Sequence, residues 1–242
     1  MTAVPPVNLK YFDARGRGQF IRYFLTCRGV SFTDDRVPLS ADFAAWAAIR
    51  GDRALVGPFH KLPVLRWGDI AVAETMVIQS FLHRQLGDEA RLSDEENLRH
   101  AMLVSTLYVD VMMPLGILLW SEVMFPGGDL AASAKRTLDR IKGHFDILDR
   151  TLGEWSWLER AAQRPVMIAD CMFWEELSVM EYVFREHYSV EATPRLARFY
   201  REFAGRAVCE RLLAQRPCQV TGRPGEADVV ARIIEGLGKV RA

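Results

Sequence analysis

The run Lys61-Leu62-Pro63-Val64-Leu65 sets the tightest limit on what this chain can fold into. Proline has no N–H to give to a ladder and its ring fixes φ. Inside an apolar, strand-like run it is therefore confined to an edge, a bulge or a special turn. Eleven positions after that proline, Glu74-Thr75 stands at the mouth of an apolar helical pattern. A helix start exposes N–H groups and partial positive charge, so an acid beside a hydroxyl there makes a small site for the two charged ends of an amino acid. Together the two features predict a sheet edge that pairs with an extended peptide whose zwitterionic end is held next door.

The 242 residues allow one large domain or two small ones, and 50% hydrophobic residues supply a substantial core. Lys plus Arg and Asp plus Glu are balanced at 31 each, which leaves no global field to draw a nucleic acid or an anionic membrane. The start, Met1-Thr2-Ala3-Val4-Pro5-Pro6, lacks the basic and apolar stretches of a secretory signal. The longest apolar run, Val109 to Trp120, is broken by Asp110, Pro114 and Gly116 and is too short to span a bilayer. These features place the chain in the cytoplasm, as a soluble globular protein without a membrane or nucleic-acid partner. Cys27, Cys171, Cys209 and Cys218 are scattered with no C-x-x-C, which fits reduced thiols and no metal site.

Leu9 to Leu25 reads as a strand, a glycine-containing loop and an amphipathic helix with Phe20, Ile21, Phe24 and Leu25 on its apolar face. The alternation continues to about Leu86: an irregular strand, a helix, the Pro63 strand, a turn at Trp67-Gly68-Asp69, a strand from Ile70 to Ala73, and a helix from Thr75. That pattern predicts an α/β layer with a mixed sheet. Between Ser40 and His60, Phe43, Trp46 and Ile49 suggest a helix, while Gly51, Gly57 and Pro58 mark a loop.

The polar Gly87-Asp88-Glu89-Ala90-Arg91 reads as a linker, and the pattern after it is helical almost throughout. Ser93-Asp94-Glu95-Glu96 is a capping box opening a long helix to about Phe125, kinked near Pro114. Further helices are expected to about Leu152, from Ile168 to Glu186, from Arg195 to Ala204, and over Cys209 to Leu213 and Ala227 to Leu237. The expected division is residues 7–86, 91–218 and a tail at 219–242.

Tyr11-Phe12, then Arg15-Gly16-Arg17, then the Ile21-Arg22 helix, then Leu62-Pro63-Val64, then Glu74-Thr75, recur in an order and spacing that resemble the cytosolic glutathione transferases. The likeness is nearest the tyrosine-dependent group of alpha, mu, pi and sigma classes and covers roughly residues 7 to 218. It implies a thioredoxin-like N-terminal domain, an all-helical C-terminal domain, a homodimer, and glutathione as co-substrate with no metal.

It also implies roles for individual residues. Tyr11 is the catalytic candidate. A thiolate reacts where a thiol does not, and a phenol donates a hydrogen bond more strongly to the anion than to the neutral thiol. One bond to a charged group is worth roughly 1.5–3 kcal/mol, or about one to two pKa units. Arg17 matches the arginine that adds positive potential near the sulfur, whereas Arg15 and Arg22 are expected to face solvent or pair with acids. Leu62 and Pro63 match a cis-proline turn that offers the Leu62 backbone to the cysteinyl residue. Glu74 would accept from the γ-glutamyl ammonium, and Thr75 would hold its carboxylate. Lys61, with Trp46 and more weakly Arg53, is expected at the glycyl carboxylate. Asp110 is expected to reach the ligand of the neighbouring subunit.

Phe12, Met112 and Met113, with Leu115 and Trp120, are the candidates for an apolar electrophile pocket. Asp170 matches a buried helix-start motif, although Met167 stands where that motif has a hydroxyl. Alternatives carried alongside are an isomerase or peroxidase on the same site and a non-catalytic structural relative.

Overall fold

The computed structural model describes residues 5–157, 160, 164–206 and 219–240. Cys209, Cys218 and the helix expected over Cys209 to Leu213 lie outside the described residues. By contact the chain divides into two compact units. The first comprises residues 1–102 and 211–224, the second residues 103–210 and 225–242.

The first unit is built on a four-stranded mixed sheet of order β2-β1-β3-β4, with β1 at Val7–Phe12, β2 at Thr33–Val37, β3 at Val64–Trp67 and β4 at Ile70–Ala73. β1 pairs parallel with β2 and antiparallel with β3, and β3 pairs antiparallel with β4 across the two-residue turn Gly68-Asp69. The side chains of β1 alternate with the strand period, so Val7, Leu9 and Tyr11 share the buried face. Against the sheet lie α1 (Gly16–Cys27), which buries Phe20, Ile21, Phe24 and Leu25, and α4 (Thr75–Gln85), which buries Ile78 and Leu82. Each such side chain contributes about 1.5–3 kcal/mol on leaving water. Two short helices, α2 (Ala44–Ile49) and α3 (Arg53–Val56), fill the segment between β2 and β3.

The stretch read as a linker forms a short helix, α5 (Asp88–Arg91), inside the first unit. Asp88 is buried and paired with Arg28 at 2.5 Å, which ties the stretch to the end of α1. The capping box after it is formed: the Ser93 hydroxyl accepts from the Glu96 N–H, and Glu96 Oε2 accepts from the Ser93 N–H at 3.0 Å.

The helix it opens runs as α6 (Asp94–Thr106), a π-helical segment (Leu107–Met112) and α7 (Met113–Met124). The distortion expected near Pro114 is this π segment, whose last residue, Met112, comes shortly before the proline. Proline cannot donate to the preceding turn and its ring crowds the carbonyl four residues back, and the wider π turn relieves both. This helix is long and apolar enough to cross a membrane by length and composition. Its Leu107, Val111, Leu115 and Leu119 are buried in the core of the second unit.

The second unit adds α8 (Leu130–Glu154), α9 (Ile168–Phe184), α10 (Pro194–Ala204) and α11 (Glu226–Val240). In α8 the buried positions Leu130, Ala134, Leu138, Ile141, Phe145, Leu148 and Leu152 recur every three or four residues, the stripe a packed helix needs. α9 is buried nearly all round and serves as the central post. Asp170, in its first turn, accepts from the Met167 N–H at 2.8 Å, from both ends of the Arg164 guanidinium at 2.7 and 3.0 Å, and from the Trp157 indole at 3.3 Å.

Candidate functional site

Tyr11 is the penultimate residue of β1, and its side chain is buried on the α1 side of the sheet. The chain then turns through residues 13–15 into α1, and this turn closes over the ring. The Arg17 N–H donates to the Tyr11 hydroxyl oxygen at 3.0 Å. Glycine is required here by proximity. A Cβ on Gly16 would stand 2.6 Å from the hydroxyl oxygen, and one on Gly18 would stand 2.7 Å from ring Cγ. The alternation of arginine and glycine over residues 15–18 thus lets a helix start wrap a phenol.

Of the two arginines expected to face solvent or pair with acids, Arg22 has an acidic partner. Arg15 is 2% exposed and does not face solvent. Arg22 is also buried. It pairs with Asp34 at 2.9 Å, donates to the Ala14 and Phe12 carbonyls at 2.8 and 3.1 Å, and holds its guanidinium 5.8 Å from the centre of the Tyr11 ring. Arg22 thus braces the β1–α1 turn, a part that sequence reasoning gave to no residue. Arg17 itself is half-buried.

Phe12 meets Tyr11 and Trp46 edge to face, with centroids 5.4 Å apart in both pairs. Trp46, on α2, packs with Phe12 against a cluster of Tyr11, Val37, Val56, Leu62 and Val64. One apolar wall therefore joins the candidate catalytic phenol to Leu62. The Leu62–Pro63 peptide bond is cis. The ladder contacts of β3 begin at Val64, opposite Lys10 on one side and Ala73 on the other, so Leu62 stands outside the paired register. Lys61 beside it is exposed.

Glu74 links β4 to α4 with φ 69° and ψ 122°, a backbone conformation that L side chains seldom adopt, and makes no side-chain cap bond. Such a residue costs of order 1–3 kcal/mol and persists where the surroundings impose it. Glu74 is exposed, and Thr75, the first residue of α4, is 3% exposed. Tyr11, Phe12, Arg17, Trp46, Lys61, Leu62, Pro63, Glu74 and Thr75 all belong to the first unit.

The remaining candidates belong to the second unit. Asp110, in the π segment, lies 3.2 Å from Arg140 Nη2 and 3.7 Å from His144 Nε2. Met112 is buried and Met113 half-buried. An open groove of about 400 Å³ runs between α7 and α8, with Pro114, Ile117 and Leu118 on one side and Arg136, Thr137 and Arg140 on the other. Neither methionine lines it.

Sequence reasoning missed one contributor altogether. The carbonyls of Gln219 and Val220, far along the chain, accept from the N–H groups of Arg15 and Gly16, each at 2.9 Å. No periodicity or motif in that segment points to the turn after β1.

No family model matches the chain. By sequence it is 25% identical over 176 residues to the probable glutathione S-transferase 7 of Caenorhabditis elegans, covering 72% of this chain and 77% of that protein. It is 29% identical over 119 residues to the hematopoietic prostaglandin D synthase of Gallus gallus, covering 49% of this chain and 53% of that protein. By structure it is similar to the monomeric glutathione S-transferase Na-GST-3 of the hookworm Necator americanus, with a TM-score of 0.71 at 21% identity over 88% of this chain and 98% of that one. The fold is that of these structures: a thioredoxin-like domain and a helical domain.

Proposed function

We propose that this chain is a cytoplasmic glutathione transferase that ionises the glutathione thiol beside Tyr11 and adds the thiolate to an apolar electrophile. The sequence relatives of that name and the solved structures of that fold support a glutathione transferase. The observation that carries the finer reading is the 3.0 Å hydrogen bond from the Arg17 N–H to the Tyr11 oxygen. A phenol that accepts a backbone N–H has its oxygen fixed in place, and the hydroxyl is the group proposed to donate to the sulfur anion. One such bond to an anion is worth about 1.5–3 kcal/mol, which raises the thiolate fraction by roughly tenfold to a hundredfold. The thiol proton leaves to solvent. The sulfur lone pair then forms the new C–S bond, while the electrophile's leaving group or π bond takes the displaced electrons.

In this reading the Leu62 backbone pairs with the cysteinyl residue, a one-residue case of strand addition. Glu74 accepts from the γ-glutamyl ammonium, and Thr75 at the start of α4 receives its carboxylate. Lys61 and Trp46 serve the glycyl end. Arg17 adds positive potential, and Phe12, Met112 and Met113 are assigned to the electrophile. A homodimer in which Asp110 turns from Arg140 to the partner's glutathione belongs to the same reading. The monomeric hookworm relative makes oligomeric state a point to be measured.

The test is Tyr11→Phe. Turnover should fall by about tenfold to a hundredfold while glutathione affinity stays within about threefold, since the peptide contacts are untouched. Unchanged turnover overturns the role given to Tyr11. The prostaglandin synthase among the relatives favours one second reading, in which the same thiolate isomerises its substrate. Product analysis separates the two, because isomerisation returns glutathione and conjugation consumes it.

A further inference from the structure

We propose that the segment Gln219–Arg223 is a positioning strap for the thiolate site, fixing the turn that carries the Arg17 N–H to the Tyr11 hydroxyl. This inference rests on the reading of Tyr11 given above.

The strap belongs to the same compact unit as Tyr11, although more than half the chain separates them in sequence. Its Gln219 and Val220 carbonyls take the N–H groups of Arg15 and Gly16, each at 2.9 Å. Those are the residues immediately before the Arg17 N–H that meets the Tyr11 oxygen at 3.0 Å. Two hydrogen bonds to consecutive N–H groups set both the height and the orientation of the next one, because the peptide planes between them have only two soft dihedrals per residue. Gly16 lies close to both partners, since a Cβ there would stand 3.4 Å from the Val220 carbonyl and 2.6 Å from the Tyr11 oxygen. The turn is thus held between phenol and strap, with room only for glycine.

The strap is itself anchored on both flanks. Gly222 has φ 70°, and a Cβ there would come within 2.8 Å of the Asp13 carbonyl and of Ala14 Cβ, so it lies directly on the strand-to-helix turn. Arg223 is 8% exposed and stacks its guanidinium 3.7 Å from the centre of the Phe43 ring, just ahead of the helix that carries Trp46. Val220 and Thr221 between them are buried. None of these residues is placed against glutathione, so they act through Tyr11 and not by contact with substrate.

The charged groups around Tyr11 are Arg15, Arg17 and Arg22 on the α1 side, Asp13 in the turn, and Asp34 and Arg36 on β2. Arg22 pairs with Asp34, and Arg36 pairs with both Asp34 and Asp13. None of these is altered in the variants below, and Gly222→Ala changes no charge, so in that variant a change in thiol ionisation reports the geometry of the turn. Arg223→Ala also removes a buried cation, and Arg223→Lys, which keeps the charge without the planar stack, separates the two effects.

The test uses the full chain with glutathione bound and follows thiolate absorbance against pH, alongside glutathione affinity and thermal unfolding. Gly222→Ala pushes a methyl into Asp13 and Ala14, while Arg223→Ala removes the anchor on Phe43 without adding an atom and keeps the test open should the first variant fold poorly. Both are expected to move the thiolate midpoint up by about one unit, a tenfold loss of thiolate at fixed pH, with affinity within about threefold. A drop in unfolding temperature with the midpoint unmoved overturns the strap, because a merely structural role lowers the amount of active protein and leaves its ionisation alone. Tyr11→Phe tells the two failures apart. If its midpoint shifts and the strap variants do not, only the strap fails; if its midpoint does not shift, both the strap and the role of Tyr11 fail.

Discussion

At the start of α10 the N–H groups of Arg195 and Leu196 are both taken by Asp149 Oδ1, at 2.8 and 2.9 Å, while at the start of α4 the residue in the capping position, Glu74, gives no side-chain bond and is exposed. Both helix starts carry backbone donors and partial positive charge, although Pro194 leaves the first position of α10 without an N–H. One is closed by a buried carboxylate of the protein. In the proposed reading the other receives a carboxylate brought by the ligand. α9 belongs with α10, since Asp170 gathers a backbone N–H, a guanidinium and an indole at its first turn. In that reading the helical unit closes the starts of α9 and α10 with its own carboxylates, and the α/β unit keeps one start for binding and tolerates a strained residue there.

The comparison breaks most readily at Asp170. Removing one partner of a buried, hydrogen-bonded ion pair leaves the other charge uncompensated, at a cost of about 3–5 kcal/mol. Asp170→Ala should therefore lower stability by that amount in denaturant unfolding, while the folded fraction binds glutathione as before. A loss below about 1 kcal/mol would show that the Asp170 network adds little, and the contrast between the units would go with it.

How far this contrast could be read in advance depends on whether local sequence carried the cause. The β1–α1–β3–α4 order and the place of Tyr11 at a strand end were legible because strand and helix periods are local, and because Pro63 rules out the ordinary alternatives at its position. The capping box at Ser93 is likewise a four-residue signal. Burial of Arg15 was not legible in a turn whose N–H groups are taken by Gln219 and Val220, far along the chain. The φ of Glu74 has no residue-type signature, because a glutamate there looks like any helix-opening acid. The distortion near Pro114 was legible from the proline, but its π form was not. At α9 the lack of a hydroxyl at Met167 was legible, but not that Arg164 and Trp157 reach Asp170 from outside the motif.

A smaller effect sharpens the α4 side. Thr75→Ala removes a hydroxyl proposed to meet the γ-glutamyl carboxylate, and glutathione affinity should fall about tenfold, the lower end for a hydrogen bond to a charged group. Thr75→Ser supplies the control. Both changes delete the same methyl from a residue 3% exposed, at about 0.8 kcal/mol of stability, but serine keeps the donor and should restore affinity. Equal affinities for the two variants would remove the hydroxyl from the site.

The finest discrimination is between two variants at one position. Inside helices and strands alanine is more stabilising than glycine by roughly 0.5–1 kcal/mol, but at a helix N-cap, the position Glu74 holds, glycine is the better of the two by about 1 kcal/mol. At φ 69° and ψ 122° that margin should widen, since a Cβ there carries steric strain of order 1–3 kcal/mol that glycine escapes. Glu74→Gly and Glu74→Ala both lose the carboxylate, so both should weaken glutathione binding alike, yet the glycine variant should be the more stable by clearly more than about 1 kcal/mol. A margin of about 1 kcal/mol or less would mean that the backbone at Glu74 relaxes at no cost. The α4 start would then be ordinary capping geometry, without the strain that sets it apart from the carboxylate-closed starts of α9 and α10.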